Sequence, residues 1–407
     1  MNDDAFITSG FLPVPATSGG AVETLVQNLI DENEINGSNK FTVFSIYDEK
    51  SYEESTKYKK TNFMFYKPSF VIKYFDLMLF FFIIFILRKE KKTSYKFIIQ
   101  RLSYLNYVSK KLKKNNFDSV IVENNATLFL ALKWRKNYKK YNGKYYFHLH
   151  NDIGNLYGCK KIIEKSRKIF TVSEYISLVV SSKLEYNSEN IKVLKNCIDM
   201  NKFKKKYTDK QILEIKEKYK IPVDDKVIIF VGRTIKEKGI LEVLKAFNLA
   251  NYKNWTLLIV GSSGFNINVK SNFENDLLNE TKNNKKIIFT GFVQYSELPL
   301  YYSLADLAVL PSIWNEPAGL TMLEAIASGT PLITTNRGGI KEYVSKYGAI
   351  VLEVNEDIVN MIKENMEKIL NENKIQTNEL TNKCREEFNL QKYLVNFNNC
   401  IKEGNNS

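Results

Sequence analysis

The feature that most constrains this chain is a rhythm of short apolar runs, each followed by a glycine or polar turn and an amphipathic stretch. "AFITSG" leads into "GGAVETLVQNLIDEN", where Val22, Leu25, Val26, Leu29 and Ile30 keep the spacing of one helix face. "DSVIVEN", "KYYFHLH", "KIFTVS" and "KVLKN" continue the series, with a helix predicted through "EYISLVVSSKLE". A lysine-rich stretch, "MNKFKKKYTDKQILEIKEKYKIPVDD", then interrupts it as a linker and one helix. The rhythm restarts with "KVIIFVG", the helix "GILEVLKAFNLA", "TLLIVG", "KIIFTGFV", the helix "SELPLYYSLA", "LAVLPS", the helix "GLTMLEAIAS" and "TPLITTN". Strands alternating with helices on this scale build parallel sheets through right-handed crossovers. Two such series around a linker predict an α/β chain of two Rossmann-like domains facing a cleft, with ligands outside the carboxyl ends of the strands. The expected limits are 1–200, 201–385 and a closing helix within 386–407.

Composition agrees with a folded chain of this kind. The 407 residues suffice for two domains, and 44% hydrophobic with 26% charged residues is a globular balance. The four cysteines (Cys159, Cys197, Cys384, Cys400) are scattered without a CxxC pair, which argues against a disulfide framework or zinc ribbon and for a reducing compartment. The opening Met-Asn-Asp-Asp carries acid where an export signal needs positive charge, so no such signal is expected. A net charge of +14 suits an anionic partner, or reflects lysine spread along the whole chain. No RNP or helix-turn-helix signature accompanies it, so nucleic acid is not an expected partner.

One segment gives the charge a direction. From Phe70 to Leu87 the chain reads "FVIKYFDLMLFFFIIFIL", followed by "RKEKK". A spanning helix needs about 20 predominantly apolar residues. Lys73 and Asp76 interrupt this run, and its unbroken part, Leu77 to Leu87, is too short. A core helix is seldom apolar on every face. The segment about 70–88 is therefore expected to lie in the plane of an anionic membrane surface, its basic flank on the headgroups. A buried helix and a true span stay open as alternatives.

The motifs narrow the chemistry. "VGSSGF" at Val260 departs from GxGxxG, and no GxxxxGK[ST] occurs, so hydride transfer and P-loop phosphoryl transfer lose their usual signatures. No two aspartates stand two residues apart, so the metal-holding DxD is missing, and neither metal nor cofactor is expected. In "VGRTIKEKG" a strand ends at Gly232, with Arg233 and Lys238 in the loop beyond. Two cations beside glycines there suit a diphosphate, or form an ordinary exposed loop. In "NEPAGLTMLEAIASGTPLITTNRGG" the amides of Ala318, Gly319 and Leu320 open a helix, a second anion contact. Glu316 and Glu324 flank that helix start and need partners of their own. A carboxylate two turns into the helix matches the diol of a ribose, which suits Glu324. One in the preceding loop suits a carbon that becomes positive as a leaving group departs, as in glycosyl transfer, which suits Glu316.

With these residues on the page, the chain resembles the GT-B retaining glycosyltransferases of family 4 (glycosyl transferases group 1). "EPAGLTMLE" is similar to their E-x7-E motif, and "GRTIKEKG" to their G-R-x4-K-G diphosphate clamp. "TSGGAVE" is similar to their N-terminal glycine loop, "LKNCIDMNKF" to N-G-x-D-x-x-x-F with Cys197 in place of Gly, and "GFVQYSELPLYYSLADLAVLPS" to the stretch before the catalytic helix. The likeness runs from Thr8 to Val344 and is weakest over Asp48–Lys114, where the acceptor-facing parts of this family diverge. It implies that Gly19 and Gly20 let the backbone approach the donor phosphates, and that Gly261 and Val293 also border the donor. His148 and His150, the only histidines, share one face of a strand. They are a structural pair, or His150 is the family histidine that orients the donor sugar; no further metal ligands are evident nearby. The resemblance implies a metal-independent, retaining transfer from a nucleotide sugar, a UDP-hexose or UDP-N-acetylhexosamine. The implied acceptor is a glycan or lipid-linked oligosaccharide, in capsule, exopolysaccharide or lipopolysaccharide assembly at the cytoplasmic face of the membrane. A nucleotide-sugar epimerase or hydrolase on the same fold, and a non-enzymatic basic binder of membrane or nucleic acid, are the alternatives.

Overall fold

The computed structural model describes residues 3–86, 97–204, 207–261, 272–372 and 378–402. The first series forms a seven-stranded parallel sheet from β1 (Asp3–Ile7), β2 (Lys40–Ile46), β3 (Thr61–Tyr66), β4 (Ser119–Glu123), β5 (Tyr145–Leu149), β6 (Lys168–Thr171) and β7 (Ile191–Val193), in the order β3-β2-β1-β4-β5-β6-β7. The second forms a six-stranded sheet from β8 (Lys226–Val231), β9 (Trp255–Val260), β10 (Ile287–Gly291), β11 (Leu307–Leu310), β12 (Leu332–Thr335) and β13 (Ile350–Leu352), in the order β10-β9-β8-β11-β12-β13. Every ladder is parallel. Central strands such as β4, β5 and β9 are buried along their whole length, as a sheet covered on both faces requires. The edge strands β3 and β10 are part exposed. β2, β3 and β13 complete the sheets beyond the runs read from the sequence.

The chain divides into two compact units, Met1–Lys195 with Tyr393–Ser407, and Asn196–Lys392. The divisions fall five residues before and seven after the expected 200/201 and 385/386. The helix Leu390–Lys402 therefore belongs mostly to the first unit. There Phe397, fully buried, stacks on Phe6 at 5.7 Å and meets Phe41 and Phe170 edge-on. Asn398 accepts from Asn39 at 2.8 Å, and Lys168 donates to the Cys400 carbonyl. None of the four cysteines is in a disulfide.

The apolar segment forms a helix, Phe70–Phe81, capped by Ser69 and continued by a π-helical turn, Phe82–Ile86. Ile72, Asp76, Leu79, Phe80 and Ile83 form its inward stripe, and only Asp76 is fully buried. Phe70, Tyr74, Phe75, Met78, Phe85 and Ile86 are exposed, from 52% to 82%. A buried helix is thereby set aside. Asp76, which looked like an interruption, is an anchor: its two carboxylate oxygens accept from the Ile99 and Gln100 amides at 2.7 and 2.8 Å. It thus neutralises the N-terminal end of the helix Ile98–Lys114. No described helix is long and apolar enough to cross a membrane. Leu87 and the basic run after it lie outside the described residues.

Candidate active site

In the second unit, two motifs far apart in sequence meet. The turn Lys236–Lys238 follows β8, and Glu316 lies between β11 and the helix Leu320–Ala327. Lys238 Nζ reaches Glu316 Oε1 at 2.6 Å, and Ser312 Oγ donates to the same oxygen at 2.7 Å. The Glu316 backbone is held by Gly339, whose amide donates to its carbonyl at 2.7 Å. Gly338 makes this approach possible, since at φ 61° any Cβ would stand 2.3 Å from the Glu316 carbonyl oxygen. Around them, Gly232 and Gly261 end β8 and β9, with the Gly232 amide donating to Val260 at 3.0 Å. Arg233 is exposed, without an ion pair among the described residues, and Val293 lies part exposed beyond β10. Ala318 precedes Gly319, which caps the helix without any side-chain hydrogen bond, so the amides from Leu320 onward keep their capacity for an anion.

Glu324 stands apart from this group in character. It is fully buried one turn into the helix, with Tyr302 Oη at 3.2 Å and Tyr295 as a second hydroxyl donor. Burial pushes its pKa up to about 8 against those hydrogen bonds. Geometry agrees: Tyr302 has one hydroxyl proton and faces two acceptors, Glu324 and the Thr321 carbonyl at 3.0 Å. A protonated Glu324 donating to Tyr302, which donates to Thr321, satisfies every group. Ser312, Tyr295, Tyr302 and Gly338 were not singled out from the sequence. The one available signal was a tyrosine hydroxyl on the apolar face of the helix read through "SELPLYYSLA".

In the first unit the carboxyl ends of β1, β4 and β5 gather a second polar group. His150, just past β5, holds Glu123 Oε2 through Nε2 at 3.0 Å. His148 Nδ1 lies 3.2 Å from the same oxygen, and the two rings are 4.1 Å apart, so the pair does share a face. Burial pushes the Glu123 pKa up, but the two histidines outweigh it and hold the carboxyl at about 2. The three residues bring ligand atoms within 4.8 Å of one another, the size of a metal site. The donor set fits hydrogen bonding better. His148 Nε2 is buried without a hydrogen-bond partner, where a metal-bound imidazole ordinarily anchors its far nitrogen. Gly19 and Gly20 lead into the helix Ala21–Asn36, and here Glu23 turns back on the helix start. A Cβ on Gly20 would fall 2.4 Å from Glu23 Oε2, while Ser9 Oγ donates to Oε1 at 2.6 Å. Burial raises the Glu23 pKa. The backbone assigned to donor phosphates by resemblance thus already faces a carboxyl group.

Residues 211–387 match the family model for glycosyl transferases group 1. Over those residues the chain is similar to the group 1 glycosyl transferases. Among its relatives is YtcC of Bacillus subtilis, which carries a provisional glycosyltransferase name; the two are 28% identical over 84% of this chain and 76% of that one. A lipopolysaccharide 1,2-N-acetylglucosaminetransferase of Salmonella typhimurium is 25% identical over 56% of this chain and 57% of its own. In fold the chain is similar to a glycosyltransferase from Rickettsia africae, with TM-score 0.74 and 20% identity over 100% of this chain and 99% of that one. It is likewise similar to HepE of Anabaena, solved with UDP and glucose, with TM-score 0.72 and 15% identity over 98% and 99%. The expected likeness to glycosyl transferases group 1 is found over residues 211–387, and the expected GT-B fold, two Rossmann-like α/β domains, holds.

Proposed function

We propose that this glycosyltransferase moves a hexose or N-acetylhexosamine from a UDP-sugar to a lipid-linked glycan with retention and without a metal, in cell-surface polysaccharide assembly at the cytoplasmic face of the membrane. The observation that carries the reading is the convergence of Lys238 and Ser312 on Glu316 beside an uncapped helix start. A donor diphosphate would compete with Glu316 for the Lys238 ammonium and bind Arg233 and the amides of Gly319 and Leu320. Glu316, released, would face the sugar carbon as positive charge develops there. Glu324 would take the ribose diol and His150 the sugar. The departing diphosphate would accept the proton of the incoming hydroxyl on the same face, so no separate base is required.

The UDP bound to HepE supports the choice of base. The Salmonella relative and an alpha-monoglucosyldiacylglycerol synthase of Acholeplasma laidlawii, 30% identical over 43% of this chain, support a glycolipid or lipopolysaccharide acceptor. The exposed apolar helix supports the membrane surface. A thermal-shift panel of UDP, GDP, ADP and CMP with EDTA present tests the donor side, because a ligand of the folded state raises its stability by mass action. UDP should give the largest shift, undiminished by EDTA. No shift with any nucleotide would remove the donor assignment.

A further inference from the structure

We propose that Arg101 seats the phosphate of a phosphorylated lipid whose chain lies along the exposed face of the helix Phe70–Phe81. The proposal rests on the glycosyltransferase reading and gives its acceptor a chemical class. Arg101 stands in the first turn of the helix Ile98–Lys114. Its Nε and Nη2, the edge that binds a phosphate or carboxylate two-pronged, are out of water with no hydrogen-bond partner, and no described carboxylate pairs with it. A guanidinium edge left this way is costly, and folded chains seldom keep one without a use.

The surroundings say what that use is. The guanidinium lies over the Phe11 ring at 4.5 Å, and Phe11 meets Phe97 edge-on at 6.3 Å. Phe11 belongs to the turn after β1, at the carboxyl ends of the strands, where ligands of parallel sheets bind. Tyr104, one turn along from Arg101, fixes that turn by donating to the Thr8 and Phe44 carbonyls. Phe11 and its neighbour Phe97 are each more than a third exposed, so the ring over the cation lies at the surface. Asp76, the acid that anchors the apolar helix, gives one oxygen to each of the two amides just before Arg101 and bonds neither to the guanidinium. The same contact that ties an exposed apolar face to the helix start therefore leaves a cation beside it without a counter-ion. An arginine without a described carboxylate partner, on a helix packed beside an exposed apolar one, matches a phosphate joined to a hydrocarbon chain.

Farnesyl phosphate, farnesol and inorganic phosphate, each titrated into the full chain without nucleotide and followed by melting temperature, test this. Farnesyl phosphate should stabilise the protein, while farnesol and inorganic phosphate at equal concentration should not. Arg101→Gln should need about tenfold more farnesyl phosphate for the same shift, with Arg101→Lys between, as loss of the fork and then of the charge predicts. A far-UV circular dichroism spectrum and a cooperative ligand-free melt matching wild type confirm that Arg101→Gln is folded. Should it not fold, Phe11→Ala keeps the charge, removes the ring beneath it, and should weaken farnesyl phosphate a few-fold. Equal shifts with farnesol, or with inorganic phosphate alone, would overturn the phosphorylated-lipid assignment, and so would undiminished binding by Arg101→Gln. A missing UDP shift in the wild type would refute the donor reading and leave the Arg101 result to stand or fall by itself.

Discussion

At the scale of single residues, the two carboxylates of the E-x7-E motif live in opposite surroundings, and their substitutions should separate. Glu324 keeps its proton in the folded chain up to about pH 8, against an ordinary 4.5 once unfolded. Between those values the folded state binds more protons, so this contribution to stability is full below about pH 4.5 and is lost as pH rises through about 8. Glu324→Gln keeps the neutral shape and cannot ionise. At about 1.4 kcal/mol per pKa unit, it should be within about 1 kcal/mol of wild type at pH 5 and more stable by about 4 kcal/mol at pH 8. Urea melts at the two pH values decide this, and an equal difference at both would refute it. Asp4, also raised by burial, to about 7, shifts both proteins alike and drops out. In turnover, Glu316→Gln should lower kcat by about 100-fold with little change in donor KM, the size of a lost transition-state contact. Glu324→Gln should instead raise donor KM, and matching defects in the two variants would refute the division of roles. Both glutamates were legible as a motif. Their partners were not, because Ser312, Tyr295 and Tyr302 acquire meaning only when the chain brings them within reach.

At the scale of elements, the apolar helix shows how a local reading can be right in outline and blind to its cause. Its length and hydrophobicity were visible, yet Asp76 looked like a defect in the run. Only the fold reveals that it caps another helix. The exposed face should drive binding to anionic vesicles. Phe75→Glu with Met78→Glu should reduce cosedimentation with phosphatidylglycerol vesicles by at least about tenfold, since each charge opposes insertion of apolar area and meets a negative surface. The melting temperature should stay near wild type because both side chains are exposed. Unchanged vesicle binding would end the membrane reading. Strands β2, β3 and β13 escaped notice for a different reason. β3 is a part-exposed edge of the first sheet and β13 has three residues, too few to establish a period.

At the scale of the whole molecule, the chain ends in the unit where it began. Phe397 is enclosed by Phe6, Phe41 and Phe170, so Phe397→Ala should cost the first unit about 3–5 kcal/mol, the range for a large aromatic lost from a packed core. The UDP shift, which reports the second unit, should survive. Melts without loss of stability would show that the helix contributes little to the first core.

Taken alone, the sequence determined the fold class and the two α/β series, and by resemblance singled out Lys238, Glu316, Glu324 and His150 as expected site residues, because periodicity and motif spacing are local properties. Tertiary structure decided which polar groups meet. It paired Lys238 with Glu316 across 78 positions, bound His148 and His150 to Glu123, turned Glu23 onto its own helix, and left Arg101 without a carboxylate partner among the described residues. Those outcomes depend on where crossovers place strand ends. No spacing in the chain states whether a buried charge will find its counter-ion there.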